Sequence, residues 1–219
     1  MRFLFSILVG LFLSFSVFSQ EKTVVVISTN FGDMIVELYN ETPQHRDNFI
    51  RLVDEGFYNG TLFHRVIPNF MIQGGDPDSK GAAPGVQLGN GGPGYTVPAE
   101  FIDNLYHKKG VLAAARLGDA VNPKKESSGS QFYIVQGQVF TEEKLSSLSL
   151  RSRKKYSEEQ VKTYGVIGGT PHLDGSYTVF GEVVKGLEVV GLIANQKRDE
   201  NNRPLKNVEM SISRILTDQ

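Results

Sequence analysis

The sequence predicts a mainly β fold, a barrel or a sandwich, and three observations support this. Short segments rich in β-branched and aromatic residues recur along the chain, for example at residues 23–38, 131–135 and 177–183. Turn residues separate these segments, as is typical of consecutive strands. Helical spacing of apolar residues is confined to a few short segments. Many strands with few helices indicate an all-β architecture.

The first elements are a hairpin and a helix. Residues 23–38 form the predicted hairpin, because two β-branched runs flank turn chemistry at residues 30–33. A helix follows, with Thr42 as its cap, Pro43 in its first turn and Gly56 at its end.

The later elements are short strands, a long loop and a second helix. Their positions are strands on either side of Pro68, a glycine- and proline-rich loop at residues 74–98, a buried strand at 110–115, a helix at 187–194 and a last strand at 207–216. The alanines of residues 110–115 would also allow a helix.

Residues 137–169 differ from the rest of the chain. They contain a polar, helix-friendly stretch, and Ser157 with Gln160 matches a capping box at a helix start. Because the segment interrupts two strand-like segments, we predict an inserted helical hairpin on the surface. Its basic cluster at residues 151–155 is expected to be a solvated face, or alternatively a contact for an anionic partner.

Composition limits the possible functions. The chain has 219 residues, enough to bury a real core, and its net charge of −1 argues against a nucleic-acid surface. It has no cysteine, which excludes thiolate metal sites, cysteine nucleophiles and disulfides. The histidines show no metal-ligand spacing. We therefore expect neither a metal nor a cofactor.

The N-terminus resembles a secretory signal peptide. Arg2 precedes a largely apolar run that ends in small and polar residues. The run is shorter than the ~20 residues of a spanning helix, although an uncleaved anchor is the alternative. We expect residues 1–20 to be removed, by cleavage after Ser19 or Gln20. Residues 21–219 would then form one domain without a membrane span, in the periplasm or secreted.

One segment combines a cation with large apolar side chains. Arg65 and Gln73 stand close in sequence to Phe70 and Met71. An X–Pro amide rotates over a barrier of about 18–20 kcal/mol, and its twisted state regains a nitrogen lone pair. An apolar cup with a guanidinium donor beside it would favour that state, without a nucleophile, metal or titrating base. The pattern permits this chemistry but does not by itself single it out.

Three ordered motifs resemble the cyclophilin family of peptidyl-prolyl cis/trans isomerases. Residues 63–76 (FHRVIPNFMIQGGD) resemble the family signature, and residues 128–134 (SGSQFYI) resemble the second motif. Residues 173–175 (LDG) with 179–181 (VFG) resemble the third. The resemblance covers about residues 23–216 apart from the insertion. It implies a closed eight-stranded antiparallel β-barrel capped by two helices, with the active site on its outer face.

Carried over position by position, the resemblance implies a set of site residues. Arg65 would be the catalytic arginine, and Gln73 and Gln131 would help to orient it and the substrate carbonyl. The residues lining the proline cup would be Phe70, Met71, Tyr133 and Leu173. The residues bordering the site would be His64, Ala115, Arg116, His172 and Tyr177. His64 is expected to be structural, because the rotation transfers no proton.

Four positions depart from the family pattern. Tyr133 stands where phenylalanine is common, Arg116 where asparagine is common, His172 where many eukaryotic members carry tryptophan, and Tyr177 where histidine is common. The Tyr133 hydroxyl would narrow or polarise the cup, and the missing tryptophan predicts weak cyclosporin binding. These departures affect the expected rate and substrate preference but not the reaction class.

The expected function is acceleration of X–Pro rotation by a monomer. Its partners would be proline-containing peptides and unfolded exported proteins. The alternative, motivated by Tyr133, Arg116 and the insertion, is a chaperone module that binds proline-containing clients with little catalysis. A hydrolase is disfavoured, because no nucleophile–base pair is evident in the sequence.

Overall fold

The structure, a computed structural model, describes residues 22–215. The predicted signal peptide at residues 1–20 and the last residue of the predicted final strand, Leu216, lie outside the described residues. Within residues 22–215, no helix is long and apolar enough to cross a membrane.

The described residues contain short strands, α-helices and two 3₁₀ turns, at Pro77–Ser79 and Pro171–Leu173. The strands are β1 (Thr23–Thr29), β2 (Gly32–Leu38), β3 (Thr61–Leu62), β4 (Arg65–Ile67), β5 (Met71–Gly74), β6 (Thr96–Val97), β7 (Val111–Ala114), β8 (Ser127–Ser128), β9 (Phe132–Val135), β10 (Val179–Lys185) and β11 (Glu209–Ile215). The helices are α1 (Pro43–Asp54), α2 (Glu142–Ser152), α3 (Glu158–Val166) and α4 (Leu187–Ala194).

One curled antiparallel sheet forms the body of the protein. Its 9 strands have the order β3-β11-β1-β2-β10-β7-β9-β5-β4, and β6 pairs separately with β8. The edge strands β3 and β4 are separated in the chain only by Phe63 and His64, so the curled sheet brings its two edges together. The mainly β prediction is confirmed. Within residues 22–215 the ladders form a half-barrel, and no ladder closes it into the expected eight-stranded barrel.

The main core lies on the inner face of this sheet. Val66, Ile72 and Phe132 from β4, β5 and β9 are buried in it. Helix α1 contributes Phe49 and α4 contributes Val190, so these two helices are the predicted caps of the sheet. Because successive strand residues face opposite ways, the neighbours of the inner residues lie on the outer face.

The insertion is the predicted helical hairpin, formed by α2 and α3. The capping box of Ser157 and Gln160 is present at the start of α3. The two ends of the insertion meet at Gly137 and Gly169, where a Cβ on Gly137 would collide with the Gly169 backbone. The hairpin therefore leaves and rejoins the sheet at one narrow neck.

Thr42 is the N-cap residue of α1 as predicted, but a distant carboxylate makes the capping hydrogen bonds. The Thr42 side chain makes no capping hydrogen bond. Glu100 instead accepts hydrogen bonds from the backbone N–H groups of Gln44 (3.1 Å) and His45 (3.0 Å). The His45 ring places Nδ1 2.6 Å from the same carboxylate and Nε2 2.9 Å from Ser127 Oγ. This buried cluster ties α1 to β8.

We expect Glu100→Ala to lower the free energy of unfolding by about 3 kcal/mol, because it leaves a buried imidazole and two helix N–H groups without their acceptor. Urea denaturation measures this change. The matched control is Glu55→Ala, which removes a carboxylate whose ion pair with Arg51 is exposed. The control should cost less than about 1 kcal/mol. Equal losses in the two variants would contradict the capping role.

Candidate active site

A row of aligned side chains crosses the outer face of the sheet. Arg65 on β4 pairs with Gln73 on β5, and Gln73 pairs with Tyr133 on β9. Two residues further along β4, Ile67 pairs with Met71. Strand alternation turns all of these side chains away from the main core. The register therefore places the predicted catalytic arginine and two predicted cup residues on one surface.

Arg65 lies at the end of a hydrogen-bonded line of amides. Arg65 Nη1 donates to Gln73 Oε1 at 3.2 Å, and Gln73 Nε2 donates to Gln131 Oε1 at 3.1 Å. Gln131 Nε2 in turn donates to the carbonyls of Gly89 (2.9 Å) and Gly91 (2.8 Å). Burial lowers the pKa of Arg65, but a guanidinium stays protonated at neutral pH. The line holds a charged donor in a fixed orientation.

A second apolar cluster lies beside Arg65 on the outer face. Its members from the predicted site are the buried Met71, Ala115 and Tyr133 and the partly buried Phe70, Leu173 and Tyr177. The rings of Tyr133 and Tyr177 meet edge to face, with centroids 5.9 Å apart. The fold thus brings together residues from three separated motifs, as the resemblance implied.

Two departures from the family pattern contact this cluster. The His172 ring stacks on Phe70, with centroids 5.6 Å apart. The Arg116 guanidinium lies 4.4 Å from the centre of the Tyr177 ring, and its Nε donates to the Ser176 carbonyl at 2.7 Å. Arg116 is therefore packed against the border of the cluster and supports Tyr177.

His64 lies beside Arg65, and the two side chains line the same cavity. The His64 side chain is buried and lines this space of about 320 Å³ together with Arg65, Gln73 and Arg203. Among residues 22–215, neither ring nitrogen has a hydrogen-bonding partner. Burial lowers the pKa of His64 to about 4, against a smaller opposing effect of Asp76. The ring is therefore neutral at neutral pH.

Sequence reasoning missed a buried polar chain behind the cluster. The Tyr133 hydroxyl lies 2.9 Å from Nε2 of His107, whose Nδ1 lies 2.9 Å from Asp174. The Tyr164 hydroxyl on α3 lies 2.8 Å from the other oxygen of Asp174. One signal was available, because a tyrosine in place of a buried phenylalanine needs a partner for its hydroxyl.

Comparison with known protein families identifies the family of this chain. The family model described as "Cyclophilin type peptidyl-prolyl cis-trans isomerase/CLD" matches residues 24–214. The chain belongs to this family. The cyclophilin resemblance predicted from the three motifs is therefore confirmed.

Individual relatives of this cyclophilin cover most of the chain. A Staphylococcus aureus protein named as a peptidyl-prolyl cis-trans isomerase is 37% identical over 190 residues, 86% of this chain and 89% of that protein. A Streptococcus pyogenes protein named as a bifunctional phosphatase/peptidyl-prolyl cis-trans isomerase is 37% identical over 187 residues, or 84% of this chain. The chain spans 37% of the length of that longer protein.

A solved structure shares the fold. The crystal structure of a Cryptosporidium parvum cyclophilin type peptidyl-prolyl cis-trans isomerase superposes with a TM-score of 0.65 at 26% identity, over 90% of this chain and 100% of that one. The same protein in the presence of the dipeptide Ala-Pro gives a TM-score of 0.63, over 89% and 99%.

The lowered pKa of His64 predicts that acid destabilises the fold. Its folded value of about 4 lies below the ordinary 6.5, so the unfolded chain binds more protons between these values and stability falls as pH falls. Between pH 7.5 and pH 5.0, the unaltered chain should lose about 2 kcal/mol relative to His64→Gln. Urea denaturation of both proteins at both pH values measures this difference. The carboxylates are the same in both proteins, so their contribution to the pH dependence cancels in the comparison. A difference independent of pH would refute the assignment.

Proposed function

We propose that this cyclophilin-type isomerase accelerates X–Pro rotation with Arg65 as its catalytic residue, and that it assists the folding of exported proteins. The observation that carries the catalytic proposal is the position of Arg65. Gln73 on the neighbouring strand holds its guanidinium beside the apolar cluster that contains Met71 and Tyr133.

The arrangement suits transition-state binding. The proline ring enters the cup between Phe70, Met71, Leu173 and Tyr133, which desolvates the amide. As the amide twists, its nitrogen becomes an acceptor, and Arg65 donates a hydrogen bond that the planar amide cannot use. Gln73 and Gln131 keep the donor oriented, so little reorganisation accompanies the rotation.

The proposed substrates are proline-containing peptides and the unfolded exported proteins that display them. The Ala-Pro dipeptide in the related solved structure supports the first of these. The signal-peptide pattern in residues 1–20 supports the second, since an exported isomerase meets chains that are still folding. The proposed form is a monomer in the periplasm or outside the cell.

Removing the guanidinium tests the catalytic role. Arg65→Ala should lower kcat/KM for an Ala-X-Pro peptide by about 10²–10³-fold, the usual loss when one transition-state hydrogen-bond donor is removed. Exchange NMR or a protease-coupled assay measures the rate. The matched control is Arg151→Ala, which removes an exposed arginine of the insertion and should leave the rate unchanged. Unchanged kcat/KM in Arg65→Ala would refute the role.

The same variant separates the two candidate functions. A cleft of about 690 Å³ lies between the insertion and residues 101–106, with Tyr177 on its border, and this favours client binding as the second candidate. An isomerase needs Arg65 to refold a proline-limited client faster. A binding module would suppress client aggregation equally well with Arg65→Ala, and would show little rate enhancement in the unaltered chain.

Export is tested by expressing the full chain in a bacterium. We expect a mature protein that begins at Gln20 or Glu21, outside the cytoplasm, as measured by mass spectrometry of cell fractions. Leu11→Arg places a charge in the apolar run and should leave the full-length chain inside the cell. Full-length protein retained in the membrane fraction would show an uncleaved anchor instead.

A further inference from the structure

The Tyr133 hydroxyl begins an unbroken chain of buried hydrogen bonds. The chain runs from Tyr133 to His107 Nε2 (2.9 Å), from His107 Nδ1 to Asp174 Oδ1 (2.9 Å) and from Asp174 Oδ2 to the Tyr164 hydroxyl (2.8 Å). All four residues are buried. We call these four residues the Tyr133–Tyr164 chain. It joins the floor of the proline cup to helix α3 of the inserted hairpin.

The direction of each hydrogen bond follows from the ionisation of its partners. Burial lowers the pKa of His107, so its ring is neutral and carries one proton. A carboxylate only accepts, so that proton lies on Nδ1 toward Asp174, and Nε2 is left as an acceptor. Burial raises the pKa of both Tyr133 and Tyr164, so both keep their protons and donate. Every donor therefore meets an acceptor.

The hairpin is fastened to the body around Asp174. Besides the Tyr164 bond, Tyr156 donates to the carbonyl of Pro171 at 3.2 Å, in the turn that carries Leu173. Thr163 Oγ1 lies 3.1 Å from the Tyr106 hydroxyl. The hairpin thus packs behind the cup floor.

We propose that the hairpin positions the proline cup through the Tyr133–Tyr164 chain. The chain draws the Tyr133 hydroxyl away from the substrate, so that the ring presents an apolar surface to proline. His107, Asp174 and Tyr164 act as positioning residues and determine how well proline fits. The proposal rests on the proposed isomerase function, because Tyr133 matters only if proline occupies this cup.

A double-mutant cycle tests the chain at the cup. His107→Leu leaves the Tyr133 hydroxyl buried without an acceptor, which should lower kcat/KM about tenfold, mainly through KM. When Tyr133→Phe is already present, no hydroxyl needs an acceptor, and His107→Leu should cost less than about twofold. A structural role of His107 alone predicts the same loss in both backgrounds, and that result would overturn the proposal.

The hairpin end is tested by removing a single oxygen. Tyr164→Phe should lower kcat/KM about threefold, and this loss should also disappear in the Tyr133→Phe background. The control is Ser152→Ala, which removes a hairpin hydroxyl whose exposed hydrogen bond to the Leu148 carbonyl (2.8 Å) stays within α2, and it should leave kcat/KM unchanged. Equal losses from Tyr164→Phe and Ser152→Ala would overturn the role of the hairpin. This arm also decides the question if His107→Leu does not fold.

A second readout separates this proposal from the proposed function. The same cycles measured by urea denaturation report the hydrogen-bonded chain without any catalysis. One outcome is that the two substitutions of a cycle are coupled in the free energy of unfolding and yet additive in their losses of kcat/KM. That result would overturn the positioning role and leave the isomerase function intact. An unaltered chain without isomerase activity would instead overturn the proposed function, whatever the stability cycles show.

Discussion

The register of β4, β5 and β9 is the constraint on which the site depends. The pairs Arg65–Gln73 and Gln73–Tyr133 align one functional row, while Val66, Ile72 and their neighbours fill the main core. A slip of one residue would bury a guanidinium and expose the core residues. Packing of the apolar inner face therefore fixes the strand register, and the register fixes the relative positions of the site residues on the outer face.

Much of this could be predicted, because it depends on local pattern. The β-branched runs predict β1 and β2, and the spacing of Ser157 and Gln160 predicts the start of α3. The candidate site could be predicted only from motif resemblance, since nothing in the pattern of residues 63–76 shows that Leu173 will lie nearby. The insertion was predictable as a helical hairpin because its composition departs from that of the flanking strands.

The features that escaped prediction are contacts between distant residues. Glu100 accepts a hydrogen bond from the backbone of His45, 55 residues earlier in the first turn of α1, and Thr42 offers a local alternative that the fold does not use. His107 is separated from Tyr133 by 26 residues and from Asp174 by 67. Each of these side chains is ordinary in its own segment. Only the three-dimensional arrangement shows that they satisfy one another.

Tyr133 links two features that the sequence presents separately, the departure in the cup and the insertion. The buried Tyr133 hydroxyl needs a hydrogen-bond acceptor, and the neutral His107 ring offers Nε2 only if its proton is held on Nδ1. Asp174 holds that proton, and as a buried carboxylate it needs hydrogen-bond donors of its own. The last of those donors, Tyr164, lies on the inserted hairpin. A single added oxygen in the cup therefore requires a series of buried partners. That series ends in the helical hairpin of α2 and α3, so the tyrosine and the hairpin form one structural unit.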